Sequence, residues 1–212
     1  MRTVIFDFDG TIADSFALAI AIFHELTDGR HYARATVQEI DALRGMHAQE
    51  IIRYLGIRWW RLPFLLARGR TIMRKRVSEL KPFPGIEPVL QQLHKDGVRM
   101  FVLSSNSADT IGRFLEAHHL RQYFDQLYGG AGLFNKAARL RKIMHDNHLH
   151  LQNCFYVGDE VRDIVAARQA GIRCIAVGWG FNNVTSLTSH RPYAVIERPE
   201  ELVRAAQNKT KV

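Results

Sequence analysis

Cysteine is nearly missing from this chain: Cys154 and Cys174 are the only two among 212 residues. Each sits beside an apolar run that reads as a buried strand, so both are taken as small, reduced core residues, and a cytoplasmic setting is expected. No apolar stretch is long enough to span a bilayer, and the chain opens at once into a strand pattern, which argues against a secretory signal. Internal repeats and low-complexity segments are absent too. Ten histidines are present, but none has a second His or Cys at convincing ligand spacing, so all are read as structural.

Acidic residues also vanish locally. None lies between Ile51 and Ser78, whereas Arg53, Arg58, Arg61, Arg68, Arg70, Arg74, Lys75 and Arg76 all fall in that window. The chain as a whole carries 29 Lys+Arg against 21 Asp+Glu, a net charge of +8. The window interleaves its cations with Trp59-Trp60 and Phe64-Leu65-Leu66. The leading expectation is that these apolar residues pack inside a helical unit while the arginines are solvated or edge a cleft. Recognition of an anionic substrate by Arg44, Arg53 or Arg58 comes second. Contact with a membrane surface, an acidic protein or nucleic acid comes last, nucleic acid weakest because no binding motif accompanies the charge.

What is present is a soluble-protein composition, 47% hydrophobic and 24% charged, in a chain long enough for one sizeable domain with an insertion. Strand patterns at Thr3–Phe8, Arg99–Leu103, near Leu127, at Phe155–Val157 and at Arg173–Val177 alternate with helical patterns at 86–96, 108–118, 136–147 and 161–170. A first helix is expected over Ser15–Leu26. Residues 28–80 lack strand signals, with Pro63 suited to a first helical turn, and Lys81-Pro82-Phe83-Pro84-Gly85 is the clearest punctuation. The expectation is an α/β fold: a parallel-sheet core of residues 1–14 and 81–212, with residues 15–80 inserted as a helical cap.

Chemistry concentrates at the ends of the expected strands. Asp7-Phe8-Asp9-Gly10-Thr11 puts two carboxylates behind the apolar run Val4-Ile5-Phe6, near the mouth where open α/β sheets bind ligands. Two clustered negative charges there need a cation or a proton to offset them. Ser104-Ser105-Asn106-Ser107 follows the next strand and offers hydroxyls and free N–H groups at a helix start, suited to a phosphate oxygen. Gly158-Asp159-Glu160 ends a third strand, and Asp163 lies one helical turn beyond Asp159; such carboxylates favour a hard cation such as Mg²⁺. Lys136 stands where a loop enters a helix, and from local sequence alone it reads as solvated.

The order Asp-x-Asp, Ser, Lys, then Gly-Asp with a second Asp four residues on resembles the haloacid dehalogenase superfamily of phosphohydrolases. The stretch Tyr156–Phe181 is most like phosphoglycolate-phosphatase-type members, and the insertion resembles the small cap of the phosphoglycolate phosphatase and β-phosphoglucomutase group. The resemblance implies a Rossmann-like core and an Mg²⁺-dependent reaction on a small phosphorylated metabolite. It implies Asp7 as the nucleophile and Asp9 as the acid–base residue, with the Asp9 carbonyl facing the metal. Asp7 and Asp159 would bind Mg²⁺, with Asp163 or Glu160 holding its waters. Ser104, favoured over Ser105 by the count forward to Ile111, Phe114 and Leu115, would bond phosphate together with Gly10, Thr11 and Asn106; Lys136 would neutralise charge. Dehalogenases and phosphonate-cleaving relatives lack the second aspartate, so Asp9 favours phosphate esters. A phosphomutase keeps Asp9, and in mutase-like caps a polar loop follows a glycine, here Arg44-Gly45-Met46-His47, so His47 is a further substrate-binding candidate. A non-catalytic, partner-binding role for the basic window is the competing class.

Overall fold

In a computed structural model, residues 1–27, 50, 53, 54, 56–131 and 135–207 are described. Six strands form one parallel sheet: β1 (Thr3–Phe6), β2 (Arg99–Leu103), β3 (Gln126–Tyr128), β4 (Cys154–Gly158), β5 (Arg173–Val177) and β6 (Ala194–Ile196), in the spatial order β3-β2-β1-β4-β5-β6. The helices are α1 (Phe16–Thr27), α2 (Leu62–Lys75), α3 (Ile86–Lys95), α4 (Ala108–Ala117), α5 (Lys136–Asp146), α6 (Val161–Ala170), α7 (Val184–Ser189) and α8 (Glu201–Gln207). None of these is long and apolar enough to cross a membrane.

The central strands are apolar at consecutive positions because both sheet faces are covered. Val4 and Phe6 join one core with residues of α1, α3, α4 and α8, among them Leu18, Leu90, Phe114 and Leu202. Ile5 points to the other core with Leu140 of α5, Ile164 of α6 and Leu187 of α7. Each fully buried aliphatic or aromatic side chain contributes about 1.5–3 kcal/mol. Cys154 and Cys174 are free and buried in the second core, as expected.

The strand register sets up the site. Phe6 of β1 lies beside Val102 of β2 and Val157 of β4. The residues just past these strands, Asp7, Ser104 and Asp159, therefore emerge side by side at the carboxyl edge. Strand order reverses between β1 and β4, the place where such sheets open a ligand crevice.

Two passages of chain link the sheet to α1 and α2. Residues 12–14 and 81–83 run antiparallel, the Asp14 N–H donating to Lys81 O at 2.9 Å and the Phe83 N–H to Ile12 O at 3.0 Å. Pro63 sits in the first turn of α2, as its fixed φ favours. α2 packs on α1 with Gly69 facing Leu26 and Ile22, and Leu18 and Ile22 reach the first core. The expected burial of the aromatic window does not hold: Leu65 is buried, but Trp59, Trp60 and Phe64 are 80%, 54% and 55% exposed. Helical periodicity turns Leu65 inward toward α1 and leaves Phe64 facing out.

Candidate active site

Three carboxylates converge at the β1–β4 crevice. Oxygens of Asp7, Asp159 and Asp163 lie within 4.8 Å of one another, and all three residues are buried. Asp7 continues β1: its N–H donates to Val157 O at 2.8 Å, and its Oδ1 accepts the Phe8 N–H at 2.8 Å. Its Oδ2 accepts from Lys136 Nζ at 2.6 Å, and the same ammonium donates to Asp163 Oδ1 at 2.6 Å. Lys136 is therefore buried between two carboxylates, and the solvated reading from local sequence is corrected. It opens α5, so the helix start aims the ammonium into the crevice rather than outward.

Asp163 is the third residue of α6 and shares a capping box with Glu160: Asp163 Oδ2 accepts the Glu160 N–H at 3.1 Å. Both oxygens of Asp163 thus have protein donors. Glu160 in turn pairs with Arg162. Asp159 Oδ1 accepts from the Thr11 hydroxyl at 2.9 Å, and its Oδ2 accepts the Phe181 N–H at 2.7 Å. Two glycines make room for it. Gly10 has φ +72°, and a Cβ there would stand 2.1 Å from Asp159 Oδ2; one at Gly180 would stand 2.3 Å from the same oxygen.

Asp9 points to the β2 side. Its Oδ2 accepts from Asn106 Nδ2 at 2.8 Å, and the Ser15 hydroxyl also favours its ionised form. Ser104 is fully buried, its Oγ accepting the Asn106 N–H at 3.0 Å, and Ser105 is half-buried. Gly129 allows the loop after β3 to close on this turn, since a Cβ would meet Ala108 N at 2.1 Å. Ser107 caps α4 by accepting the Thr110 N–H at 3.1 Å.

Charge within the cluster is strained. Burial pushes the Asp7 carboxyl up to about 7, the attraction of Lys136 opposing and the repulsion of Asp163 adding. Burial, then repulsion by Glu160, Asp163 and Asp7, holds Asp159 well above the usual carboxylate range. Burial also raises Asp9. For Lys136, burial works against the ammonium, but the carboxylates of Asp163 and Asp7 outweigh it and raise its pKa. Carboxylates made reluctant to ionise by burial first and by neighbouring negative charge second, supplying oxygen donors only, suit a hard divalent cation. The residues fit such an ion.

Arg44 and His47 lie outside the described residues. Arg53 and Arg58 are exposed, with the Arg58 guanidinium over the Trp60 ring at 5.1 Å. The loop after β5 shapes the site more than its sequence announced. Gly180 and the Phe181 N–H hold Asp159, Asn182 Oδ1 caps the Val161 N–H at 2.9 Å, and Phe16 of α1 stacks edge-on to Phe181 with ring centroids 5.1 Å apart. The Gly-Trp-Gly-Phe string carried that signal, since glycines flanking an aromatic outside a strand mark close backbone approach.

The chain is 33% identical to a phosphoglycolate phosphatase of Synechococcus elongatus, over 97% of each chain. It is 28% identical to a phosphoglycolate phosphatase of Pseudomonas putida over 92% of this chain and 76% of that protein. A haloacid dehalogenase-like family hydrolase from Streptococcus pneumoniae has the same fold, with TM-score 0.79 at 20% identity, covering 98% of this chain and 99% of that one. So does protein tyrosine kinase A of Mycobacterium tuberculosis, with TM-score 0.78 at 24% identity and 98% of each chain covered. Such distant likenesses speak for fold alone. Residues 4–177 match the family described as haloacid dehalogenase-like hydrolase, and with that match over most of its length the chain belongs to the haloacid dehalogenase-like hydrolases.

Proposed function

We propose that this protein is an Mg²⁺-dependent phosphatase of small phosphate monoesters, phosphoglycolate among them, working through an aspartyl-phosphate at Asp7. The observation that carries the reading is the buried Asp7–Lys136–Asp163 chain beside Asp159, with Asp9 held by Asn106. Near-full-length kinship with a phosphoglycolate phosphatase supports the substrate class.

In this reading an Asp7 oxygen attacks phosphorus, forming the Asp7–phosphorus bond as the bond to the leaving oxygen breaks. Asp9 gives its proton to that oxygen. Burial raises its pKa, which suits an acid. Asp9 then takes a proton from the water that attacks the aspartyl-phosphate, which releases inorganic phosphate and restores Asp7. Lys136 offsets charge on Asp7 and phosphate, Asp163 holds Lys136 in place, and Ser104 and the turn at 104–107 receive phosphoryl oxygens. Asp7 and Asp159, with the Asp9 carbonyl, would hold Mg²⁺, which would supply positive charge to offset the carboxylate and the phosphate as they approach. Residues 15–80 serve as a cap that reads the leaving group and excludes water.

Phosphate release from phosphoglycolate, p-nitrophenyl phosphate and several sugar phosphates, with Mg²⁺ and with a chelator, tests this. Chelator-sensitive release with phosphoglycolate preferred by kcat/KM is expected. Interconversion of sugar phosphates without net phosphate release would replace the hydrolase with a mutase.

A further inference from the structure

Among the described residues, a large apolar surface that the crevice does not use lies on the inserted helical segment. Trp59 and Trp60 form a one-turn 3₁₀ segment leading into α2, their rings edge-to-face with centroids 6.3 Å apart. Phe64 is on α2, and its spacing of four places Arg68 on the same face, the guanidinium 5.6 Å from the Phe64 ring. Farther along α2, Arg70, Arg74 and Lys75 are all exposed. No acidic side chain of the described residues pairs with Arg58, Arg68, Arg70, Arg74 or Lys75, whereas Arg76, at the end of the run, pairs with Glu79 and Glu25.

We infer that this Trp59–Trp60–Phe64 face, rimmed by unpaired cations, docks on an anionic lipid bilayer. Clustered exposed aromatics mark an interaction site rather than a solvated surface. Tryptophan and phenylalanine beside arginines that keep their heads wet form the pattern of a segment lying in the lipid headgroup layer. The charge chooses among partners. A second copy of this chain, docked on the same face about a two-fold axis, would bring the cations against themselves. A neutral surface would leave them without a counterpart. An anionic bilayer takes both parts of the face: the rings enter the interface, and each cation gains from the surface potential. The binding is peripheral, since no described helix can cross a membrane.

Co-sedimentation with vesicles of phosphatidylcholine alone, and of phosphatidylcholine with an equal share of phosphatidylglycerol, is the test. The full chain is expected to sediment only with the anionic vesicles, and less so as salt rises. Trp59→Ser/Trp60→Ser should weaken binding at least about tenfold, and Arg68→Gln/Arg74→Gln/Lys75→Gln about fivefold for each charge removed. Both variants should keep the wild-type melting temperature, which shows that they fold. No binding at any phosphatidylglycerol content overturns the inference, as does equal binding to neutral vesicles or binding that survives loss of both tryptophans. Displacement from vesicles by polyglutamate or duplex DNA at matched charge concentration would assign the face to an acidic macromolecule instead. A tryptophan-dependent dimer in solution would assign it to a second copy.

Discussion

Lys136→Met keeps the side chain's length and removes its charge, and the geometry fixes the consequence. The ammonium donates at 2.6 Å to Asp7 Oδ2 and at 2.6 Å to Asp163 Oδ1, with all three residues buried. Removing one partner of a buried charge cluster leaves the others uncompensated and costs about 3–5 kcal/mol. For a chain of this size that lowers the melting temperature by roughly 6–20 °C. The loss depends on pH. Lys136 is the strongest influence opposing the burial that lifts Asp7 to about 7, so without it Asp7 takes up a proton more readily. Near pH 5 protonation relieves the unpaired charge; at about pH 8 it does so less, so the deficit is larger at the higher pH. Urea unfolding of metal-free wild type and variant at both pH values measures this. A deficit equal at the two pH values, or absent at the higher one, would refute Lys136 as the countercharge of Asp7.

The same atoms fix further outcomes. Gly180→Ala puts a Cβ 2.3 Å from Asp159 and 2.4 Å from Gly10 O, so it should destabilise by about 3 kcal/mol in denaturant titration. Gly69→Ala, whose Cβ meets Leu26 and Ile22 at 3.8–3.9 Å, should be neutral or gain up to about 1 kcal/mol; equal losses at the two positions would contradict the packing argument. Asn106→Ala frees Asp9 while sparing the backbone bond to Ser104, so kcat should fall about tenfold with KM little changed; a raised KM with intact kcat would make Asn106 a substrate ligand instead. Asp7 binds its proton more tightly folded than unfolded. Its contribution is therefore complete below the ordinary aspartate pKa of about 3.9 and is lost as pH rises to about 7. Asp9 and Asp159 shift the same way, while Lys136 stays charged throughout that window. Mg²⁺ at a hundred times its Kd at about pH 8, worth about 2.7 kcal/mol or roughly 5–11 °C in melting temperature there, should stabilise less when the same concentration is added at pH 5; a larger shift at pH 5 would argue against the carboxylate site.

Much of the framework was legible because it rests on short-range signals. Apolar runs bounded by Ser-Ser or by glycine located β2 and β5 to the residue, and α6 as well. Asp7 and Asp159 could be placed at one edge because parallel strands of similar length end together. Three features depend on contacts distant in sequence and could not be placed from local signals alone. Lys136 looks like any lysine at a helix start until the fold brings it to Asp7, 129 residues away. The part of Gly180 and Phe181 in seating Asp159 depends on a loop approaching across β5 and β4. The aromatic window has enough hydrophobicity to pass for core, and only the packing of α2 on α1 decides which side faces out. Asp163 lies between these cases: its spacing from Asp159 was readable, its bond to Lys136 was not.

Phosphate release from p-nitrophenyl phosphate in Mg²⁺ by wild type and Asp7→Asn, both checked for fold, bears most directly on Asp7 as the nucleophile. Release by wild type that stops on chelation, and that falls by at least about three orders of magnitude in Asp7→Asn, is the predicted result. Undiminished release by folded Asp7→Asn, or wild-type release indifferent to the chelator, would contradict it.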